Sequence, residues 1–141
     1  MPKKIITHNE SETMALAAEV AAHFHGGEVL LLYGDLGAGK TAFTCGLGKY
    51  LNAKQIVNSP TFVIMKVYDV ERRGIKKLVH IDAYRLSGGE DLEALGVSEY
   101  FGNPEYVSVI EWPERLGDDL PKGAMKIRFE SLGESEREIV Y

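Results

Sequence analysis

The chain has 141 residues, 45% hydrophobic and 26% charged, with a net charge of −5. That length suits one domain built around one compact core. The acid excess argues against strong direct binding of nucleic acid, which calls for a basic surface, so any nucleic-acid role is expected to run through a partner.

In chain order, Lys3 to Thr7 reads as a short strand. Asn9 is placed as a helix N-cap with Glu12 three residues on as its capping-box partner. From Glu10 to Phe24, Met14, Ala17, Ala18, Ala21 and Ala22 recur at helical spacing, and Gly26-Gly27 is expected to end the helix. Glu28 to Tyr33 holds Val29, Leu30, Leu31 and Leu32, a continuous apolar run that fits a strand buried on both faces. Gly34 to Gly39 is a glycine-rich turn, and Lys40 to Leu51 reads as the next helix. Cys45, the only cysteine, excludes an intramolecular disulfide and is expected to be a packed core thiol. Thr61 to Val70 and Lys76 to Ile81 flank the turn Glu71-Arg72-Arg73-Gly74 and predict an antiparallel hairpin. Glu90 to Leu95 reads as a short acidic helix and Ser98 to Phe101 as a further helical turn. Tyr106 to Ile110 is another buried strand, Pro113 and Pro121 bracket a loop with a helical turn, and Met125 to Glu130 and Glu138 to Tyr141 are closing strands. The pattern predicts an α/β fold, a three-layer sandwich whose mixed sheet has a parallel core and an attached hairpin, in one domain over residues 1–141. The N-terminus lacks an apolar signal core, and no apolar run approaches the ~20 residues of a membrane span. A cytoplasmic monomer is expected.

Gly34-Asp35-Leu36-Gly37-Ala38-Gly39-Lys40-Thr41 matches G-x-x-x-x-G-K-[ST]. Glycines let several backbone N–H groups converge on phosphate, and the following helix presents its positive dipole end to the same anion. Lys40 brings an ammonium to the β and γ phosphates, and the Thr41 hydroxyl suits the oxygen-seeking Mg²⁺ ion. A chance match is expected in well under about one chain in a hundred of this length. The motif therefore predicts binding of a Mg²⁺–nucleoside triphosphate.

Two apolar strands end in carboxylates, at Asp82 and at Glu111. From the residues alone, either can bind metal and either can orient water. His80 shares a strand face with Asp82, and a structural hydrogen bond is its plainer role. Arg85 suits a phosphate or a carboxylate partner. Thr61 lies in Asn58-Ser59-Pro60-Thr61-Phe62, either an ordinary turn or a loop that closes over the γ-phosphate. Trp112, the only tryptophan, is core or borders the nucleotide or a partner surface. An Asn-Lys-x-Asp guanine-reading element is missing; Asn52-Ala53-Lys54-Gln55 has neither its spacing nor its aspartate. Adenine is therefore favoured, with Asn9 to Thr13 and Gly133 to Arg137 as candidate base-binding segments.

Taken together, the phosphate loop, Ser59-Pro60-Thr61-Phe62, His80-Ile81-Asp82-Ala83-Tyr84-Arg85-Leu86 and Ile110-Glu111-Trp112-Pro113 resemble the TsaE (YjeE) family, over nearly the whole chain. These are small bacterial P-loop ATPases of threonylcarbamoyladenosine biosynthesis on tRNA. The resemblance implies a P-loop NTPase fold, with ATP and Mg²⁺ as cofactors. Leu36, Gly37, Ala38, Gly39, Lys40 and Thr41 would bind phosphate; Asn9, Trp112 and Arg137 are expected as further nucleotide contacts from the residues alone. Thr41 and Glu111 would hold the metal. Asp82 would be needed for hydrolysis alongside Lys40, with Thr61 in a switch-like loop. It also implies TsaB and TsaD as partners, tRNA being met only through them, with hydrolysis resetting their complex. Ala42 departs from the family's usual Thr or Ser. A nucleotide-dependent binding module and a small-molecule kinase are the competing readings; the kinase would need an acceptor pocket and a lid for which the chain has little room.

Overall fold

The computed structural model describes residues 2–57 and 64–141. Among them, strands β1 (Lys4–Thr7), β2 (Val29–Tyr33), β3 (Met65–Arg72), β4 (Ile75–Asp82), β5 (Tyr106–Glu111), β6 (Met125–Ser131) and β7 (Arg137–Val140) form one sheet. Their order is β1-β7-β6-β2-β5-β4-β3. β2 pairs in parallel with both β5 and β6, and β4 pairs in parallel with β5. The flanking pairs β3–β4, β6–β7 and β1–β7 are antiparallel. The expected mixed sheet is therefore present, with a parallel centre and antiparallel edges on both sides.

The continuous apolar run of β2 has its reason in this position. Leu30 and Leu32 face a core shared with helices α1 (Glu10–Ala21) and α2 (Lys40–Tyr50), while Val29 and Leu31 face a second core on the other side of the sheet. That second face is covered more thinly, by α3 (Gly89–Glu93), the helical turns Val97–Glu99 and Pro113–Leu116, and the loops around them.

The buried face of α1 differs from the expected one. Thr13, Leu16, Ala17, Val20 and Ala21 are buried, followed by Phe24, whereas Met14 and Ala18 are half-buried and Ala22 is exposed. The larger side chains of Leu16, Val20 and Phe24 decide the orientation, because burial energy scales with apolar area and alanine offers little. The helix also ends before the glycines. Its last turn tightens, with His23 and Phe24 N–H groups donating to Val20 and Ala21 carbonyls at 3.2 and 3.0 Å. At the other end, the Asn9 side chain accepts from the Glu12 N–H at 2.9 Å, as expected of an N-cap. The Glu12 carboxylate reaches back to the N–H of His8, at 2.8 Å.

The β3–β4 connection is a two-residue turn, Arg73-Gly74, with φ of 50° and 84°. Positive φ at both positions matches the twist of an antiparallel hairpin. This turn also finishes the helices. The Arg73 guanidinium donates to the carbonyls of Ala21 and Ala22 at 3.2 and 2.8 Å, and Arg72 donates to the Tyr50 carbonyl at 3.2 Å. The last turn of α1 has no basic residue of its own, so the hairpin brings a cation to its negative dipole end. Cys45 is half-buried, its thiol donating to the Val57 carbonyl at 2.6 Å, and burial pushes its pKa up.

Helices α1 and α2 lie in very close contact through Gly46. A β-carbon there would sit 2.6 Å from the Met14 carbonyl oxygen and 2.9 Å from the Ala17 β-carbon. Gly46→Ala sets two effects against each other. Helix propensity favours alanine by about 1 kcal/mol, whereas forcing a methyl against backbone costs about 1–3 kcal/mol. The clash is expected to win, lowering unfolding free energy by roughly 1–2 kcal/mol. Chemical denaturation of the variant measures this, and a gain in stability would show that the two helices separate easily.

Candidate functional site

The three parallel strands β2, β5 and β4 end side by side, so the segments that leave their C-terminal ends meet at one edge of the sheet. Leu32 lies opposite Glu111, and Glu111 opposite Asp82. This edge is where open α/β sheets bind ligands. β2 runs directly into the glycine-rich loop. At Gly34, φ is 150° and a β-carbon would meet the Phe129 carbonyl oxygen at 2.7 Å, so the loop can turn beneath β6 only without a side chain. Gly39, also at positive φ, is the N-cap of α2.

A cleft of about 400 Å³ opens at this edge, within the usual size range of small-molecule sites. Leu36, Gly37, Gly39, Lys40, Thr41 and Ala42 form its floor, Asp82, Glu111 and Trp112 one side, and Asn9, Glu10, Thr13, Glu134, Ser135 and Arg137 the other. Most of the residues singled out from the sequence thus converge. Ala38 does not line the cleft: its side chain is buried and its N–H donates to the Asp35 carbonyl at 3.1 Å, tightening the loop from behind. Leu36 stands at the loop's tip, 91% exposed. Arg85 is exposed and outside the cleft lining. Thr61 lies outside the described residues.

Lys40 is the electrostatic focus. It is 4% exposed, and its Nζ has no hydrogen-bond partner among the described residues. Instead it sits 4.0 Å from the centre of the Trp112 ring, an attraction far weaker than hydration of an ammonium. Burial pushes its pKa below the usual lysine value, against the pull of Glu111, Glu114, Asp82 and Asp35. A desolvated cation at a helix N-terminus, lacking a partner, is a site preset for an anion.

Trp112 extends this contact outwards. Its backbone adopts φ 56° and ψ 48°, a left-handed conformation that a bulky residue adopts only under constraint. Its ring packs edge-on against Tyr84 at 5.1 Å, and the Arg115 guanidinium lies 4.7 Å over Tyr84. Trp112 therefore belongs to the Lys40 end of the cleft.

The carboxylates are held differently. Asp82 is half-buried, and its Oδ1 accepts from the Tyr84 N–H at 3.0 Å. Glu111 is buried and bonds to His80 Nε2 at 2.5 Å. Among the described residues, no group of three His, Cys, Asp or Glu side chains is arranged to hold a metal alone. The donors here, the Thr41 hydroxyl with Glu111 and Asp82, fit a Mg²⁺ ion that takes its remaining ligands from water and phosphate.

On the opposite side, Asn9 spends its side-chain oxygen on capping α1, leaving its amide N–H₂ to the cleft. Arg137 lines the cleft with its stem, close over Gly39. Its guanidinium is not a free cation: it donates to the carbonyls of Gly133, Glu136 and Glu134 at 3.0, 2.9 and 3.3 Å. It clasps the β6–β7 loop in place. The structure thus brings both candidate base-binding segments to one wall. The His80–Glu111 and Lys40–Trp112 contacts have no signal in the sequence, since each joins residues whose proximity depends on tertiary register.

A buried parallel strand that feeds a glycine-rich loop and a lysine-bearing helix, within this mixed sheet, defines the P-loop NTPase fold. A family model for the threonylcarbamoyl adenosine biosynthesis protein TsaE matches residues 7–139. The chain belongs to the TsaE family, and so to the proteins of tRNA threonylcarbamoyladenosine biosynthesis. It is 42% identical over 135 residues to the protein of that name from Bacillus subtilis, covering 96% of this chain and 82% of the relative. The Aquifex aeolicus relative is 37% identical over 139 residues, covering 97% and 93%. The crystal structure of YdiB from Bacillus subtilis superposes with a TM-score of 0.79 at 38% identity, covering 99% of this chain and 84% of that one. No helix among the described residues is long and apolar enough to cross a membrane.

An unpartnered buried ammonium should cost stability. Lys40→Met keeps the packing volume and removes the charge, so it is expected to raise unfolding free energy by about 1 kcal/mol or more while weakening triphosphate binding. Denaturant unfolding in nucleotide-free buffer gives the first quantity and calorimetric titration the second. A less stable variant would mean that the ammonium is well solvated in the folded chain.

Proposed function

We propose that this chain binds Mg²⁺–ATP in the cleft and hydrolyses it slowly, and that hydrolysis resets a TsaB–TsaD complex after a round of tRNA modification. The observation that carries the nucleotide reading is the buried Lys40 ammonium at the start of α2, without a hydrogen-bond partner among the described residues, with carboxylates on the neighbouring strand ends. In this reading Lys40 and the N–H groups of the loop and of the first turn of α2 take the phosphates. Thr41 and Glu111 hold Mg²⁺, which when bound neutralises phosphate charge and polarises the bond to be broken. Asp82, fixed by the Tyr84 N–H, orients the attacking water. The base lies between Asn9, Glu10 and Thr13 on one element and Glu134 and Ser135 on the other; the missing guanine-reading element favours adenine. The net charge of −5 supports reaching tRNA through partners.

ATP turnover and nucleotide affinity, each measured with and without TsaB and TsaD, test this reading. Asp82→Asn is expected to keep ATP binding and to lower turnover about a hundredfold or more, the usual contribution of a positioned acid or base. Partners should stimulate the wild type, and the variant should fail to sustain repeated modification cycles. Sustained cycling by a variant that binds but cannot hydrolyse would favour a nucleotide-dependent binding module. Transfer of the γ-phosphate to a small acceptor would favour a kinase.

A further inference from the structure

Two oppositely charged side chains, Lys40 and Glu111, are buried in the same cleft and do not bond. Among the carboxylates whose charge favours the Lys40 ammonium, Glu111 is the strongest, yet Lys40 Nζ has no hydrogen-bond partner among the described residues. In a low-dielectric pocket such a pair should collapse into contact unless something holds each member. The Trp112 ring lies 4.0 Å from the Lys40 ammonium. Glu111 has His80, whose Nε2 is 2.5 Å from Oε2. We infer that His80 is a positioning residue that withholds Glu111 from Lys40, so that the ammonium stays available to phosphate and the carboxylate to metal. This deepens the nucleotide-binding reading and rests on it.

The register explains why the contact is firm. β4 and β5 run parallel, with His80 opposite Val109 and Asp82 opposite Glu111. His80 and Glu111 therefore share the sheet face that α1 and α2 cover, on a diagonal between adjacent strands. His80 is fully buried and cannot swing to solvent. The hydrogen-bond geometry points to one tautomer of the ring. A carboxylate only accepts, so the hydrogen of this contact lies on Nε2. Nδ1 is buried with no partner among the described residues, which is tolerable for a bare lone pair and far less so for an N–H. The imidazole thus donates through Nε2 and keeps Nδ1 bare, committing one Glu111 oxygen and leaving the other.

A cycle of variants separates positioning from mere packing. The probe is ADP in EDTA, so that no metal contributes, read by calorimetry. His80→Leu frees Glu111 to pair with Lys40, and ADP should bind about ten- to a hundredfold more weakly than to wild type, the worth of a charge-assisted hydrogen bond. In His80→Leu combined with Glu111→Gln the competing charge is gone, and affinity should return to that of Glu111→Gln alone. His80→Gln, which can place an amide N–H near the Nε2 position, should stay close to wild type. The inference is overturned if the double variant remains as far below Glu111→Gln as His80→Leu lies below wild type, because His80 then acts only through packing. It is also overturned if His80→Leu binds ADP as well as wild type does. Wild-type protein alone supplies an independent check: nitrogen NMR of the imidazole should show the proton on Nε2, and a proton on Nδ1 alone would sink the assignment. Failure of the wild type to bind ADP or ATP at all would instead remove the nucleotide reading on which this one stands.

Discussion

The position of β2 is the constraint on which the rest depends. It is buried on both faces and bonded in parallel on both sides. A strand so placed cannot slip by one residue without exchanging the two cores. Its C-terminal end is therefore fixed, and with it the height of the loop, the start of α2 and the neighbouring ends of β4 and β5. The cleft is a consequence of this alignment. Its chemistry-bearing residues come from loops and strand ends whose backbones are already committed.

The electrostatics of the cleft run against local stability. An ammonium without a partner among the described residues and a tryptophan in a left-handed conformation are each unfavourable in isolation. They cluster at one edge of a sheet whose remaining interior is predominantly apolar. Such concentration is what a preorganised anion site requires, because groups that were already satisfied would have to be pulled apart before a ligand could bind.

Much of the fold is legible in the residues because its signals are local. The apolar run of β2, the glycines and Lys40-Thr41 after it, and the Arg73-Gly74 turn each carry their own chemistry. The face of α1 is harder to read because alanines at regular spacing look like a stripe, whereas Leu16, Val20 and Phe24 hold most of the apolar area. Within the site, Asp82 and Glu111 are recognisable as strand-end carboxylates. Their different restraints are not, since the bond from His80 requires the β4–β5 register. Arg137 lines the cleft, and its guanidinium bonds to three carbonyls of its own loop, an arrangement that nothing in the sequence signals.

The contact at Gly46 has a mechanical consequence. α1 carries Asn9, Glu10 and Thr13 to one wall of the cleft, and α2 carries Lys40 and Thr41 to its floor. With no side chain between them, the two helices touch along their middles, and the Arg72–Arg73 turn ties together their far ends. With their middles in contact and their far ends tied, the spacing between the Asn9–Thr13 wall and the Lys40–Thr41 floor is set by helix packing rather than by the loops of the cleft.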